Sequence, residues 1–289
     1  MRWFTRKPKL VFTHIPKSAG TSLRHALRAA YNASEVADGF DRSLYGGFTG
    51  FDAFDAAARA TTALTPAELP AAPDIVIGHY AVGTTRARYP RSPHMTVLRE
   101  ARARVLSHWL YWRCVPASNL AGWGNWGEYV ARATKPLADF LSDPDVAAQI
   151  DNVGLRLLLW PHPLIPDRGF IAEKDDAQLL ALAKRVLDSF AFVDVIENPQ
   201  FEPRLAKWVG VDLRLERLNE TTPVPAELRV SLARMFTPEA MTALAQRARL
   251  DDALWRHVAR QHLPAARIES TREAAYAAAI ARHALLMAG

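Results

Sequence analysis

One strand-to-helix junction near the N-terminus narrows the folds open to this chain more than any other segment. Lys9 to Ile15 reads as a short strand built on Leu10-Val11-Phe12, and Thr21 to Tyr31 reads as an amphipathic helix. The loop between them carries one glycine, hydroxyls and a lysine, and the unit it joins must cover a sheet face with its helix. The theme repeats: Asp74 to Gly78 reads as a buried strand, Met95 to Leu98 as another, Arg102 to Arg113 as a helix and Ala191 to Ile196 as a last strand. Strands alternating with helices predict an α/β fold of the P-loop type, a mostly parallel sheet flanked by helices. Asp38 to Gly50 and Val115 to Gly127, rich in glycine and aromatics, are expected to be irregular surface loops.

Beyond about Pro223 the periodicity is helical only, over Pro225 to Met235, Pro238 to Ala248, Asp251 to His262 and Ser270 to Met287. These helices read as a C-terminal cap. No Gly/Ser/Pro-rich linker or internal repeat precedes them, so one domain over residues 1–289 is expected, an α/β core at 9–221 with an appended helical segment at 225–288. With 49% hydrophobic residues the chain has material for a full core. Its one cysteine, Cys114, cannot form an internal disulfide, and no His/Cys cluster has zinc spacing, so no metal is expected. The basic N-terminus is followed by too short an apolar run for a signal peptide, and no run approaches the ~20 residues that span a bilayer. The expected compartment is the cytoplasm. A net charge of +6 favours an anionic ligand, and the absence of a basic stripe interleaved with aromatics speaks against nucleic acid.

The loop Thr13-His14-Ile15-Pro16-Lys17-Ser18-Ala19-Gly20-Thr21-Ser22 opens a helix, whose N-terminus offers free N–H groups and the positive end of its dipole. Small residues let a phosphate approach the backbone, and Lys17 adds a full charge. The order is not that of a Walker A loop, where the lysine follows the last glycine. An ordinary turn with Thr21 or Ser22 as N-cap would carry the same residue types.

The string resembles the 5′-phosphosulfate loop of sulfotransferases that use 3′-phosphoadenosine 5′-phosphosulfate (PAPS). It is closest to the carbohydrate-type, heparan sulfate 2-O-sulfotransferase-like branch, whose loop reads approximately His-Ile-Pro-Lys-Thr-Ala-Gly-Thr-Ser-Leu; only Ser18 departs from it. The resemblance implies that His14, Lys17, Ser18, Ala19, Gly20, Thr21 and Ser22 bind the donor, with Lys17 also catalytic. It also implies a second motif, an Arg at a later strand end and a Ser two helical turns on, for the 3′-phosphate. Arg99 and Ser107 fit, although Arg99-Glu100-Ala101 stands where the family has Arg-Asp-Pro. Arg102 reads as solvent-facing and Arg104 is open.

Transfer of a sulfuryl group to a hydroxyl needs a base, and histidine titrates nearest neutrality. His79 follows a buried strand at the end where ligands of open sheets gather. Gly78-His79-Tyr80-Ala81-Val82-Gly83 is similar to the family's Gly-His-X-X-Phe-Gly, whose histidine is the proposed base, with Val82 for Phe. A histidine bonded to a backbone carbonyl at a strand end is the structural alternative. His14 is the rival base; His25 and His108, on helices, are expected to face core or solvent.

On the acceptor side, Asn152 and Arg156 share a helical face in a segment like the family's Asn-X-X-Thr-Arg-X-Leu, with Leu155 for Thr; contact with acceptor and buttressing of the sheet are both open. Trp123 and Trp126, in a glycine context, are candidate sugar platforms, whereas Trp109 and Tyr111 are expected in the core. Phe192 to Glu197, Phe201 to Gly210 and Leu218 to Thr221 resemble later family elements. The resemblance as a whole implies a PAPS-dependent O-sulfotransferase that releases adenosine 3′,5′-bisphosphate (PAP), with a glycan, glycolipid or small glycoside as acceptor. A P-loop nucleotide kinase or other phosphoryl transferase, and a non-catalytic nucleotide or anionic-glycan binder, are the competing readings.

Overall fold

In the computed structural model, which describes residues 7–45, 54–63, 65–211, 213–216 and 223–288, the first half runs β1 (Leu10–Thr13), α1 (Gly20–Ala30), β2 (Val36–Asp41), α2 (Ala56–Ala60) and β3 (Thr62–Ala63). It continues through β4 (Ile75–His79), α3 (Val82–Arg88), β5 (His94–Leu98) and α4 (Ala101–Arg113). Short helices α5 (Trp126–Ala131), α6 (Leu137–Ser142) and α7 (Ala147–Ile150) lead to α8 (Val153–Leu159) and α9 (Asp176–Asp188). Then come β6 (Phe192–Val195), α10 (Phe201–Val209), α11 (Leu232–Met235), α12 (Pro238–His262) and α13 (Ile268–Ala288). The expected segment Leu218 to Thr221 lies outside the described residues.

The six strands form one sheet in the order β3-β2-β4-β1-β5-β6, every pair parallel. Its central strands are apolar on both faces because helices cover both. Leu10 and Phe12 pack with Leu23 and Leu27 of α1 and Leu205 of α10, while Val11 between them meets Val76 and Tyr80. The α/β expectation therefore holds. Two strands escaped the sequence: the short β3, and Val36–Asp41, placed partly in an irregular loop, which pairs with β4 from Val36↔Ile75 to Phe40↔His79. Val-Ala-Asp-Gly-Phe-Asp has weak strand propensity. It is held by its neighbours, including Tyr80, whose hydroxyl donates to the Asp38 carbonyl at 2.7 Å.

The C-terminal helices are structural members of the core. Leu250, Leu254, Trp255 and Val258 of α12 share a buried cluster with Leu98, Val195 and residues of α8 and α9. The two stretches read separately as 238–248 and 251–262 are one helix, and the shift in apolar phase between them has a cause. Asn152 inserts into the helical ladder at that point: its N–H donates to the Arg247 carbonyl at 2.8 Å, and its Oδ1 accepts from the N–H groups of Leu250 at 2.8 Å and Asp251 at 3.3 Å. Asp251 in turn caps α8 through the N–H groups of Gly154 and Leu155.

Helix α13 is fixed on α4. Arg102, expected to face solvent, pairs with Glu100 at 2.7 Å and Glu273 at 3.0 Å and lies 4.0 Å above the Tyr276 ring. The His283 ring reaches the Leu106 carbonyl at 3.0 Å. Among the described residues no helix is long and apolar enough to cross a membrane.

Candidate functional site

Three adjacent strands at the middle of the sheet end together and bring distant residues to one place. His14 follows β1, His79 is the last residue of β4, and Arg99 follows Leu98 at the end of β5. Carboxyl ends of parallel strands are where such folds bind ligands.

The loop from β1 to α1 is tightly folded. Lys17 and Ala19 both adopt left-handed backbone angles, φ 68° and 57°, a conformation that costs non-glycine residues of order 1 kcal/mol each. Chain reversals of this kind gather N–H groups into a concavity suited to an anion. Ala19 is the N-cap of α1 and supplies no side-chain acceptor, and the first turn holds no acidic residue. The residue after it must be glycine for a steric reason: a Cβ on Gly20 would fall 1.7 Å from His14 Nε2. Ser18 is buried, and among the described residues neither its hydroxyl nor His14 Nε2 has a hydrogen-bond partner. Thr21 is exposed and Ser22 half-buried at the start of α1.

His14 and His79 stack with ring centroids 4.4 Å apart, and His79 Nδ1 lies 2.7 Å from the His14 carbonyl oxygen. A carbonyl only accepts, so Nδ1 carries the hydrogen and Nε2 carries the lone pair. Burial lowers the pKa of His79 below the usual histidine value, against the opposing effects of that hydrogen bond and of Asp38. Burial, helped by the charges of His79, Lys17 and Arg24, pushes His14 well below it. His14 and His79 are thus neutral bases at pH 7. Carbonyl bonding, read from the sequence as the structural alternative to catalysis, here fixes the tautomer that catalysis would need.

Positive charge converges on the same loop. Arg99 donates from Nη1 to the Lys17 carbonyl at 3.0 Å. The Lys17 ammonium stands 4.0 Å from the centroid of the Tyr111 ring. Burial first, then the neighbouring Arg99 and Arg282, bring Lys17 down to a pKa of about 8. The substituted Arg99-Glu100-Ala101 motif is functional as a helix start: Glu100, fully buried, caps α4 by accepting from Ala103 N–H at 2.7 Å. Its own N–H donates to Glu197, which also accepts from the Trp255 indole at 2.9 Å. The missing proline is replaced by this brace from the turn after β6 and from α12. Ser107 is half-buried and lies on the same face of α4 as Arg104 and Tyr111, three and four residues away.

The acceptor-side expectations change most. Asn152 and Arg156 take the buttressing arrangement: both are buried, Asn152 serves α12, and Arg156 spends its N–H groups on Asp151 and the carbonyls of Pro166 and Gly169. Trp123 is half-buried, stacked 5.6 Å from Phe40 and edge-on to Phe54; Trp126 is half-buried at a right angle to Trp112. Tyr111, expected in the core, is 49% exposed and adjoins the lysine. Trp109 is buried as expected. Sequence reasoning missed Tyr111, which stands one turn beyond Ser107. It also missed Arg282, whose approach to Lys17 depends on how α13 docks and which no spacing signals.

Comparison with models of known protein families gives no match, and comparison with curated proteins gives none.

Proposed function

We propose that this chain is a PAPS-dependent sulfotransferase that moves a sulfuryl group to a hydroxyl, with a carbohydrate as the acceptor class. The observation that carries the reading is the hydrogen bond from His79 Nδ1 to the His14 carbonyl, which ties a neutral base, its lone pair on Nε2, to the phosphate loop itself. The loop fits the donor: Ser18 Oγ and His14 Nε2 are buried polar atoms without partners, beside Lys17 and Arg99. Lys17 and the α1 N-terminus hold the 5′-phosphosulfate, and Arg99 with Ser107 holds the 3′-phosphate. His79 removes the hydroxyl proton as the acceptor oxygen closes on sulfur in line with the leaving group. Lys17 meets the charge that gathers on the departing phosphate oxygen. Tyr111, beside Lys17, and the half-buried Trp123 and Trp126 offer aromatic surface to a glycan, glycolipid or small glycoside. The single cysteine suits a reducing cytoplasm, and an anionic small molecule rather than nucleic acid accounts for the local charge.

PAP at a hundredfold excess over its Kd is expected to stabilise the chain by about 2.7 kcal/mol and raise Tm by roughly 5 °C or more. Labelled sulfate from PAPS should then appear on members of a glycan panel. Stabilisation by Mg·ATP and none by PAP would establish the kinase reading instead. PAP binding without transfer to any acceptor would leave a binding protein.

The pH dependence follows from the same two groups. His79 must be neutral, so kcat/KM for PAPS holds through pH 6.5 and falls in more acid solution. Lys17 must be charged, so the alkaline limb falls through about pH 8. Bound donor raises the lysine pKa, and kcat should keep its plateau to higher pH than kcat/KM. An alkaline limb beyond pH 10 in both would take Lys17 out of donor capture.

A further inference from the structure

The sulfotransferase reading employs His79 and Lys17 and leaves His108 without a task. His108 is 4% exposed, and among the described residues neither of its ring nitrogens has a hydrogen-bond partner. Folded proteins seldom bury such a group unless water or a ligand completes it.

Its place on α4 decides which. Arg104, Ser107, His108 and Tyr111 share one helical face, at steps of three, four and seven from Arg104. The Tyr111 end of that face meets the Lys17 ammonium at 4.0 Å from the ring centroid. The Arg104 end lines a small recess together with Ile15, Ser18 and Arg99. His108 lies between the two along that face, near enough to Lys17 and His79 for both to act on it electrostatically, with the Trp112 ring 4.6 Å from its own. Burial, with the charges of Arg104, Lys17 and His79, holds the ring neutral.

A neutral imidazole has one N–H and one lone pair. His79 has committed its N–H to the His14 carbonyl and can only accept at the reacting centre. The N–H of His108 is uncommitted. We propose that His108 donates this N–H to a non-bridging oxygen of the sulfuryl group during transfer, a second catalytic contact beside the charge of Lys17. The assignment rests on the sulfotransferase reading. In the step, the bond from acceptor oxygen to sulfur forms and the bond from sulfur to the 5′-phosphate oxygen breaks. The hydroxyl proton goes to His79 Nε2, the bonding pair leaves on the phosphate oxygen, and His108 is unchanged.

The variants are His108→Leu and, to keep a flat ring against Trp112, His108→Phe. Removing a buried polar ring that has no partner leaves the fold as stable or more so, and the two shapes guard against a packing failure in one. The expected result is a fall in kcat for transfer from PAPS of about 100-fold or more, the size typical of a lost transition-state donor. KM for PAPS and the thermal shift with PAP should stay within about threefold, and His108→Asn, which keeps an N–H, should recover roughly tenfold. His25→Leu, on the exposed side of α1, serves as the control at full rate. A raised Tm with kcat within threefold of the unmodified chain overturns the assignment and makes His108 core filling. Loss of the PAP shift together with kcat overturns it too, since His108 would then bind the donor and not the transferring group. An unmodified chain that neither binds PAP nor turns over PAPS rejects the function itself, and needs no variant to show it.

Discussion

Replacing His79 by alanine is expected to lower kcat for sulfate transfer by about 10²- to 10⁴-fold while PAP still raises Tm by nearly the full amount. The asymmetry follows from geometry. His79 Nδ1 is occupied by the His14 carbonyl, so the reactive side of the ring is Nε2, a lone pair whose loss removes the base and no donor contact. His79→Asn separates the two roles of the ring, because the amide N–H can still reach the carbonyl of His14 while offering no base. If alanine and asparagine variants lose kcat alike and keep the PAP shift, the loss is chemical. Recovery of most turnover by asparagine would make His79 a positioning residue and pass the base role to His14. Lys17→Ala should behave differently, with PAP stabilisation and transfer lost together, because its ammonium serves donor capture and the departing oxygen at once.

How much of this was legible in the sequence depended on how local each signal was. The β1-loop-α1 unit, β4 with His79, and β5 with Arg99 are each contained in a dozen residues, and period and turn chemistry suffice to find them. That they meet is a property of sheet order, since β4 and β5 flank β1 and their ends coincide. β2 was hidden because Asp38 and Gly39 interrupt its apolar pattern and only pairing with β4 holds it extended. Asn152 and Arg156 share a helical face, as their spacing says. Spacing does not say whether that face looks at a ligand or at α12, and here it looks inward. Arg102 failed for the same reason: an arginine on an amphipathic helix is solvated until another helix, here α13 with Glu273 and Tyr276, packs over it. Glu100 shows the converse, a departure from the family pattern whose compensation by Glu197 and Trp255 is visible only in three dimensions.

Mild acid should destabilise this chain before its ordinary carboxylates titrate, and the cause is a set of neutral histidines that includes those of the site. His14, His79, His94 and His108 are all held below the ordinary histidine pKa by burial. A base with a lowered folded pKa takes its proton first in the unfolded chain, so stability is complete above about pH 6.5 and drains as pH falls toward each folded value. Each group contributes a slope of up to about 1.4 kcal/mol per pH unit, and His14 and His108, the most displaced, contribute over the longest interval. His283 joins them: burial lowers its pKa as well, against the raising effect of its hydrogen bonds to the carbonyls of Ala279 and Leu106. Glu197 and Asp251, raised by burial, act in the opposite sense, since the folded chain protonates them first and gains stability as they titrate. Their effect runs from their raised folded values down to the ordinary carboxylate range, so it offsets part of the histidine loss. Urea unfolding at several pH values should therefore give a free energy that falls as pH drops from about 6.5 to 5, by up to about 1.4 kcal/mol per pH unit for each such histidine, less the gain from Glu197 and Asp251. His108→Leu removes one of these protons, and its slope in that window should be shallower by about 1.4 kcal/mol per pH unit. A free energy that stays level to pH 5 would mean the rings are solvated or paired with acids, and a solvated His79 would be largely protonated at pH 5.5 and unable to act as the base there.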